Sequence, residues 1–298
     1  MLLAVPAVAE DAFVDVAPQV GLDFVHFNGM SGELYFPEMM GQGGALLDYD
    51  GDGDLDAYFV QGAMLGPGKT LADALVPLRG PLPPRGRLYR NDLALNSDGS
   101  RSVRFVDVTE ASGLHALGYG MGIATGDIDN DGWVDLYLTN YGPNQMYRNN
   151  GDGTFTDVTA RTGDPRWSVS ASFFDLDRDG WLDLYVANYV DYSVEKNPRC
   201  FAASSRRDYC GPADFPPLAH TLYRNRGDGT FEDVSVRSGI ARQPGPGLGV
   251  IAFDPDRDGW TDIYVANDGA PIFLWMNRRD GTFRDDALLA GAAVNRRG

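Results

Sequence analysis

Four nine-residue stretches hold most of the chemistry this sequence could do. They are Asp48–Asp56, Asp127–Asp135, Asp175–Asp183 and Asp254–Asp262, each with Asp at places one, three, five and nine and Gly at place six (Gly53, Gly132, Gly180, Gly259). The carboxylates are Asp48, Asp50, Asp52 and Asp56; Asp127, Asp129, Asp131 and Asp135; Asp175, Asp177, Asp179 and Asp183; and Asp254, Asp256, Asp258 and Asp262. So many anions in one turn repel one another unless a cation sits among them. Calcium takes about six to eight oxygen ligands in flexible geometry, and carboxylates at alternate places around a sharp Gly turn supply them. Place seven would add a backbone carbonyl, from Asp54, Trp133, Trp181 and Trp260, and the Asp at place nine would close the cage with both oxygens. No His or Cys lies in any of the four stretches, so a hard cation is expected over a softer metal.

Asp and Gly are also ordinary turn formers, and one such stretch could be only a turn. Four copies at one spacing make a repeated ion site the expectation. An EF-hand is excluded, because it needs Glu at place twelve and a helix after it, whereas place twelve is Phe59, Leu138, Val186 and Val265. The residues after each stretch, such as Asp183-Leu184-Tyr185-Val186-Ala187-Asn188, have the aromatic and β-branched character of a strand. Each cage should therefore sit in a turn between two strands, and neighbouring cages are expected to be separate.

Three further elements recur around the acidic stretches. A Gly-rich approach such as Met121-Gly122-Ile123-Ala124 precedes the turn. A Tyr-Arg-Asn strand follows at Leu88–Asn91, Met146–Asn149 and Leu222–Asn225, drifting to Leu274-Trp275-Met276-Asn277 in the last copy. A Phe-x-Asp segment closes the unit at Phe105, Phe155, Phe231 and Phe283, with an early likeness at Phe13-Val14-Asp15-Val16. Gly151-Asp152-Gly153-Thr154, Gly227-Asp228-Gly229-Thr230 and Asp280-Gly281-Thr282 read as hairpin turns joining the last two strands. The first Asp of successive stretches is spaced by 79, 48 and 79 residues. A unit of about 48 residues with four strands is a propeller blade. The two longer copies carry insertions at about 62–87 and 189–221, both between second and third strands and so on one face.

The formal net charge is −17, which argues against nucleic acid and anionic membrane surfaces as partners. Cys200 and Cys210 are the only cysteines and both lie in the second insertion. In an exported protein a disulfide closing that loop is expected; two free buried thiols are the alternative. Zinc is disfavoured because His220 is the only nearby His and tetrahedral sites want four ligands. Residues 1–12 read as a signal-peptide remnant or a disordered terminus, and no stretch approaches the roughly 20 apolar residues that span a bilayer.

The acidic stretches, the Tyr-Arg-Asn strand and the Gly-Asp-Gly-Thr-Phe-x-Asp-Val ending resemble FG-GAP/VCBS repeats. Pro37-Glu38-Met39-Met40-Gly41 and Asp208-Tyr209-Cys210-Gly211-Pro212 are similar to the cartilage-acidic-protein (ASPIC/UnbV) branch of that family. Over about residues 13–298 the resemblance implies an all-β, calcium-binding, seven-bladed propeller similar to the head of integrin α-subunits, secreted, periplasmic or at the cell surface. Four blades are present. The reading is an open N-terminal part of such a ring, with Phe13–Val16 waiting for strands beyond residue 298 and further blades or a second copy covering the open flank. About four Ca2+ sites are expected.

The leading functional expectation is a binding or adhesion module for an extracellular protein or glycan, not an enzyme. A lectin-like propeller, with Trp133, Trp181 and Trp260 stacking on sugars, is one alternative. The other is a carboxylate-dependent hydrolase or lyase, for which Glu38 is the carboxylate without a counterpart in the other repeats. Catalysis of that kind usually needs a pair of carboxyls with separated pKa values.

Overall fold

The computed structural model describes residues 13–294. The stretch read as a leader remnant lies outside the described residues. Four antiparallel sheets of four strands follow one another along the chain. The first is Gly44–Leu47, Asp56–Phe59, Arg87–Asn91 and Phe105–Asp107; the second Tyr119–Gly126, Asp135–Tyr141, Gln145–Asn149 and Phe155–Asp157. The third is Ser168–Phe174, Asp183–Asn188, Thr221–Asn225 and Phe231–Asp233; the fourth Gly247–Phe253, Asp262–Asn267, Phe273–Asn277 and Phe283–Asp285. Each strand pairs with its sequence neighbour, as in a propeller blade.

The core lies between the blades. Leu47, Tyr58 and Leu88 of the first pack against Leu136, Leu138 and Tyr147 of the second. Ala124, Tyr137 and Met146 of the second meet Ala171, Leu184 and Val186 of the third. Tyr185, Ala187 and Leu222 of the third meet Ile263, Val265 and Trp275 of the fourth. The first strands of successive blades run past one another so closely that side chains would collide. A Cβ on Gly122 would strike the carbonyl of Val169 in the next blade's first strand at 2.3 Å, and one on Gly120 would sit 2.6 Å from Val60 Cβ, just past the second strand of the preceding blade. That close approach is the physical reason for the Gly-rich segments.

Phe13–Val16 pairs with none of the four blades among the described residues. It belongs to no sheet, and Phe13 is 94% exposed. Two short hairpins were not anticipated, Ala94–Leu95 with Arg101–Ser102 and Cys200–Phe201 with Arg207–Asp208. The second is closed by the Cys200–Cys210 disulfide. No helix among the described residues is long and apolar enough to cross a membrane.

Candidate metal centre

Each acidic stretch is the turn between the first and second strands of its blade, as expected. The backbone takes the same shape four times. Places four and six are both left-handed: Gly51 and Gly53, Asn130 and Gly132, Arg178 and Gly180, Arg257 and Gly259. At place six a residue with a Cβ would be strained, which accounts for the invariant Gly within this chain. The Gly amide donates back to the place-one carboxylate, at 3.0 Å from Gly53 to Asp48 and 2.9 Å from Gly132 to Asp127. The same bond measures 3.0 Å from Gly180 to Asp175 and 2.9 Å from Gly259 to Asp254.

Places one, three and nine converge. One carboxylate oxygen from each of Asp48, Asp50 and Asp56 lies within 4.8 Å of the others, and the same holds for Asp127, Asp129 and Asp135, for Asp175, Asp177 and Asp183, and for Asp254, Asp256 and Asp262. Place five is not among these groups. Asp52, Asp131, Asp179 and Asp258 each use one oxygen to accept the place-seven N–H, at 2.8 to 3.0 Å. The other oxygen of Asp179 is held by Arg224 at 3.0 Å and that of Asp258 by Arg279 at 2.6 Å. Arg224 also reaches Asp177 at 2.6 Å, and Arg148 reaches Asp129 at 3.4 Å.

The place-nine carboxylates are the anchors. Asp56, Asp135 and Asp183 are wholly buried, and Asp262 is 2% exposed. One oxygen accepts the place-two N–H, from Tyr49 at 3.0 Å, Ile128 at 2.8 Å and Leu176 at 2.7 Å. The other accepts the N–H of the Asn that ends the third strand, from Asn91, Asn149, Asn225 and Asn277 at 2.7 to 2.8 Å. Burial raises the carboxyls of Asp135 and Asp183 to about 7 and those of Asp56 and Asp262 to about 6, against the donors that favour the anion.

Several oxygens in the cages have no protein partner. Oδ1 of Asp50, Asp129 and Asp177 is buried without a hydrogen bond, as is Oδ2 of Asp262. The last case has a covalent cause: place two of the fourth turn is Pro255, which has no N–H to give. A buried carboxylate oxygen left bare is costly. An all-oxygen set of this kind, on a turn already shaped by its own amides, fits a hard divalent cation.

Two roles of the repeat were invisible as roles in the sequence. The Asn closing Tyr-Arg-Asn reaches with its side-chain amide into the turn of the preceding blade: Asn149 Nδ2 donates to the Tyr49 carbonyl at 2.7 Å, Asn225 Nδ2 to Ile128 at 2.8 Å and Asn277 Nδ2 to Leu176 at 2.8 Å. The place-two side chains Tyr49, Ile128 and Leu176 are themselves buried between blades. The repeated Asn and the apolar place two were the available signals. As for the tryptophans, Trp133 and Trp181 lie over the hairpin turns of their own blades. A Cβ on Gly151 would come within 2.5 Å of Trp133, and one on Gly227 within 2.7 Å of Trp181. In the fourth blade the corresponding residue is Arg279, and Trp260 instead lies under Arg178, 5.7 Å from its ring centre.

Glu38 sits in a 3-10 turn, Phe36–Met39, and is 2% exposed. Its carboxylate accepts the Tyr209 hydroxyl at 3.2 Å and the Ser31 N–H at 3.4 Å. Burial pushes it above the usual carboxylate range. Tyr209 belongs to the disulfide-closed insertion, so Glu38 ties that insertion to segment 28–42. The first insertion reaches the same segment through Leu75 N to the Met30 carbonyl at 2.8 Å and Lys69 to Glu33 at 3.3 Å.

A family model described as the FG-GAP-like repeat matches residues 127–186 and 217–265, spanning the second to fourth acidic turns. Over those residues the chain is similar to FG-GAP-like repeats. It is homologous at modest identity to cartilage acidic protein 1: the human protein is 28% identical over 180 residues, 58% of this chain and 26% of the relative. The mouse protein is 26% identical over 265 residues, 86% of this chain and 36% of the relative. The chain thus matches about a quarter to a third of the length of these relatives. A solved lectin of Agrocybe aegerita, described as recognising non-reducing terminal N-acetylglucosamine, is 17% identical and covers 81% of this chain and 64% of its own. Its TM-score is 0.29, and that likeness carries no argument.

Proposed function

We propose that this chain is a calcium-stabilised extracellular binding or adhesion module, not an enzyme. The observation that carries the metal is the set of bare, buried carboxylate oxygens on Asp50, Asp129, Asp177 and Asp262, one in each acidic turn. Asp48, Asp127, Asp175 and Asp254 at place one, the place-three residues and the place-nine residues would hold the ion, with the place-five carboxylates and the carbonyls of Asp54, Trp133, Trp181 and Trp260 completing the set. The ion would supply charge compensation and a cross-link within each turn. The Cys200–Cys210 disulfide supports an oxidising location, secreted, periplasmic or cell-surface. Convergence of both insertions on segment 28–42 supports that face as the one that meets a protein or glycan partner.

A ligand that binds only the folded state must stabilise it. Melting curves of the full chain with millimolar-range calcium and with excess chelator test the reading. The calcium sample should melt higher; superimposed curves would exclude the metal role.

A further inference from the structure

The buried carboxylates of the four turns are joined in one continuous relay. Asp262 accepts the N–H of Asn277 at 2.7 Å, and the Asn277 amide donates to the Leu176 carbonyl at 2.8 Å. The N–H of the same Leu176 donates to Asp183 at 2.7 Å. Asp183 then accepts Asn225 N–H, Asn225 donates to Ile128, and Ile128 N–H donates to Asp135, at 2.8 Å in each step. Asp135 accepts Asn149 N–H at 2.7 Å, Asn149 donates to Tyr49 at 2.7 Å, and Tyr49 N–H reaches Asp56 at 3.0 Å. Each Asn also donates to its own place-eight carbonyl: Val134 at 3.3 Å, Leu182 at 3.1 Å and Thr261 at 3.3 Å. One side chain therefore holds one carbonyl of its own turn and one of its neighbour's, while the same residue's backbone N–H holds the place-nine carboxylate of its own turn.

We propose that Asn149, Asn225 and Asn277 are positioning residues that make the calcium sites of adjacent blades cooperative. The proposal rests on the calcium reading above. The peptide groups at place two lie between two ligand residues, at places one and three, so ordering them by ion binding in one turn fixes the carbonyl that the next blade's Asn must find. That Asn in turn presents its N–H to the place-nine ligand of the next cage. Hydrogen bonds in such a buried chain also polarise one another. Filling one cage removes part of the ordering cost of the next, which is positive coupling and must be reciprocal. Asn91 occupies the same place in the first blade, donating to Asp56 at 2.8 Å and to the Leu55 carbonyl at 3.2 Å, and has no preceding turn among the described residues. It is the built-in control.

The test follows the place-six amides Gly53, Gly132, Gly180 and Gly259 by NMR on the full chain during calcium titration. Asp129→Ala disables the second cage. In the otherwise native chain it should weaken binding reported by Gly180 by at least about fivefold, the low end of coupling between linked sites. With Asn225→Ala in place, adding Asp129→Ala should change Gly180 no further; Asn91→Ala should leave the Gly132–Gly180 coupling intact. If Asn225→Ala does not fold, Asn225→Asp replaces it, keeping the acceptor for Gly227 and losing both donors. A Gly180 affinity indifferent to Asp129→Ala overturns the coupling, and coupling that survives loss of the Asn225 amide overturns its assignment to that residue. No response of any of the four glycines to calcium would instead overturn the metal reading beneath it.

Discussion

The side-chain amide of Asn225 donates to the carbonyl of Ile128 at 2.8 Å across a separation of 97 residues. Its own N–H is held by Asp183, so a residue at the end of a third strand joins two acidic turns on two blades. The turns are thus parts of the blade interface, whatever they bind. Removing their anchoring carboxylates should be felt in folding even without metal.

In chelator, Asp183→Ala should therefore cost about 2–5 kcal/mol, because two buried N–H groups, of Leu176 and Asn225, lose their acceptor. Asp179→Ala, at place five, loses one exposed bond from Trp181 and a partly exposed pair with Arg224, and should cost less than about 1 kcal/mol. Urea unfolding orders the two. Equal losses would mean that place nine is a metal ligand with no scaffold role of its own.

Two glycines with positive φ separate backbone strain from packing. Gly180 has φ +88° and open space where a Cβ would stand, so Gly180→Ala should lose about 1–2 kcal/mol to strain alone. Gly227 has φ +71° and would bring its Cβ within 2.7 Å of Trp181. Gly227→Ala should lose more and shift the tryptophan emission. Identical stability losses with unchanged emission would place Trp181 away from the turn.

His220 gives the fold a pH dependence of its own. It is fully buried, with Nδ1 against the Tyr185 hydroxyl at 2.7 Å and Nε2 against the Gly245 carbonyl at 2.9 Å. Burial, with some help from the charge of Arg166, lowers its pKa to about 4. The folded value lies below the unfolded one, so between about pH 6.5 and 4 the unfolded chain binds the extra proton and stability falls as pH falls. The full window is worth on the order of 3 kcal/mol. His220→Gln should flatten the stability profile across that window by one proton's slope. An unchanged slope would assign the dependence to other groups.

Much of the architecture was legible because it repeats. Four copies of the Asp spacing, with three of Tyr-Arg-Asn and a drifted fourth, located the turns and the strands, and the Gly-rich segments marked where first strands pass within contact of one another, as Gly122 does with Val169. What was illegible depends on neighbours in space. Asn225 reads as a strand end until the preceding blade brings Ile128 beside it, and the arginines that pair with place five, Arg224 and Arg279, are recognisable only once the third strand or its hairpin turn is folded against the acidic turn. Phe13–Val16 has a strand's residues and pairs with no strand among the described residues. Glu38 was singled out for being unique; its burial under Tyr209 makes it a latch for the insertion.

That latch leads to the final expectation. Glu38 is 2% exposed, and the Tyr209 hydroxyl is one of its two donors, the other being the longer contact from Ser31 N–H at 3.4 Å. Tyr209→Phe leaves the buried carboxyl with that weaker bond. The insertion also holds to segment 28–42 by Asn197 Nδ2 and Arg207 Nη2 to the Glu33 carbonyl, at 2.9 and 2.6 Å, and by stacking of Phe215 on Phe36 at 5.5 Å. Loss of one bond should therefore loosen the insertion without unfolding the blades. Limited proteolysis should cut within residues 189–220 about tenfold or more faster in Tyr209→Phe, on the scale of a neutral-to-charged hydrogen bond of about 1.5–3 kcal/mol. Reduction of Cys200–Cys210 should add to the effect, since the disulfide closes the loop that carries Tyr209. Global melting should move far less than the cleavage rate. If cutting in that segment stays slow in Tyr209→Phe while the blades melt early, Glu38 and Tyr209 support the propeller itself and the insertion is held by other contacts.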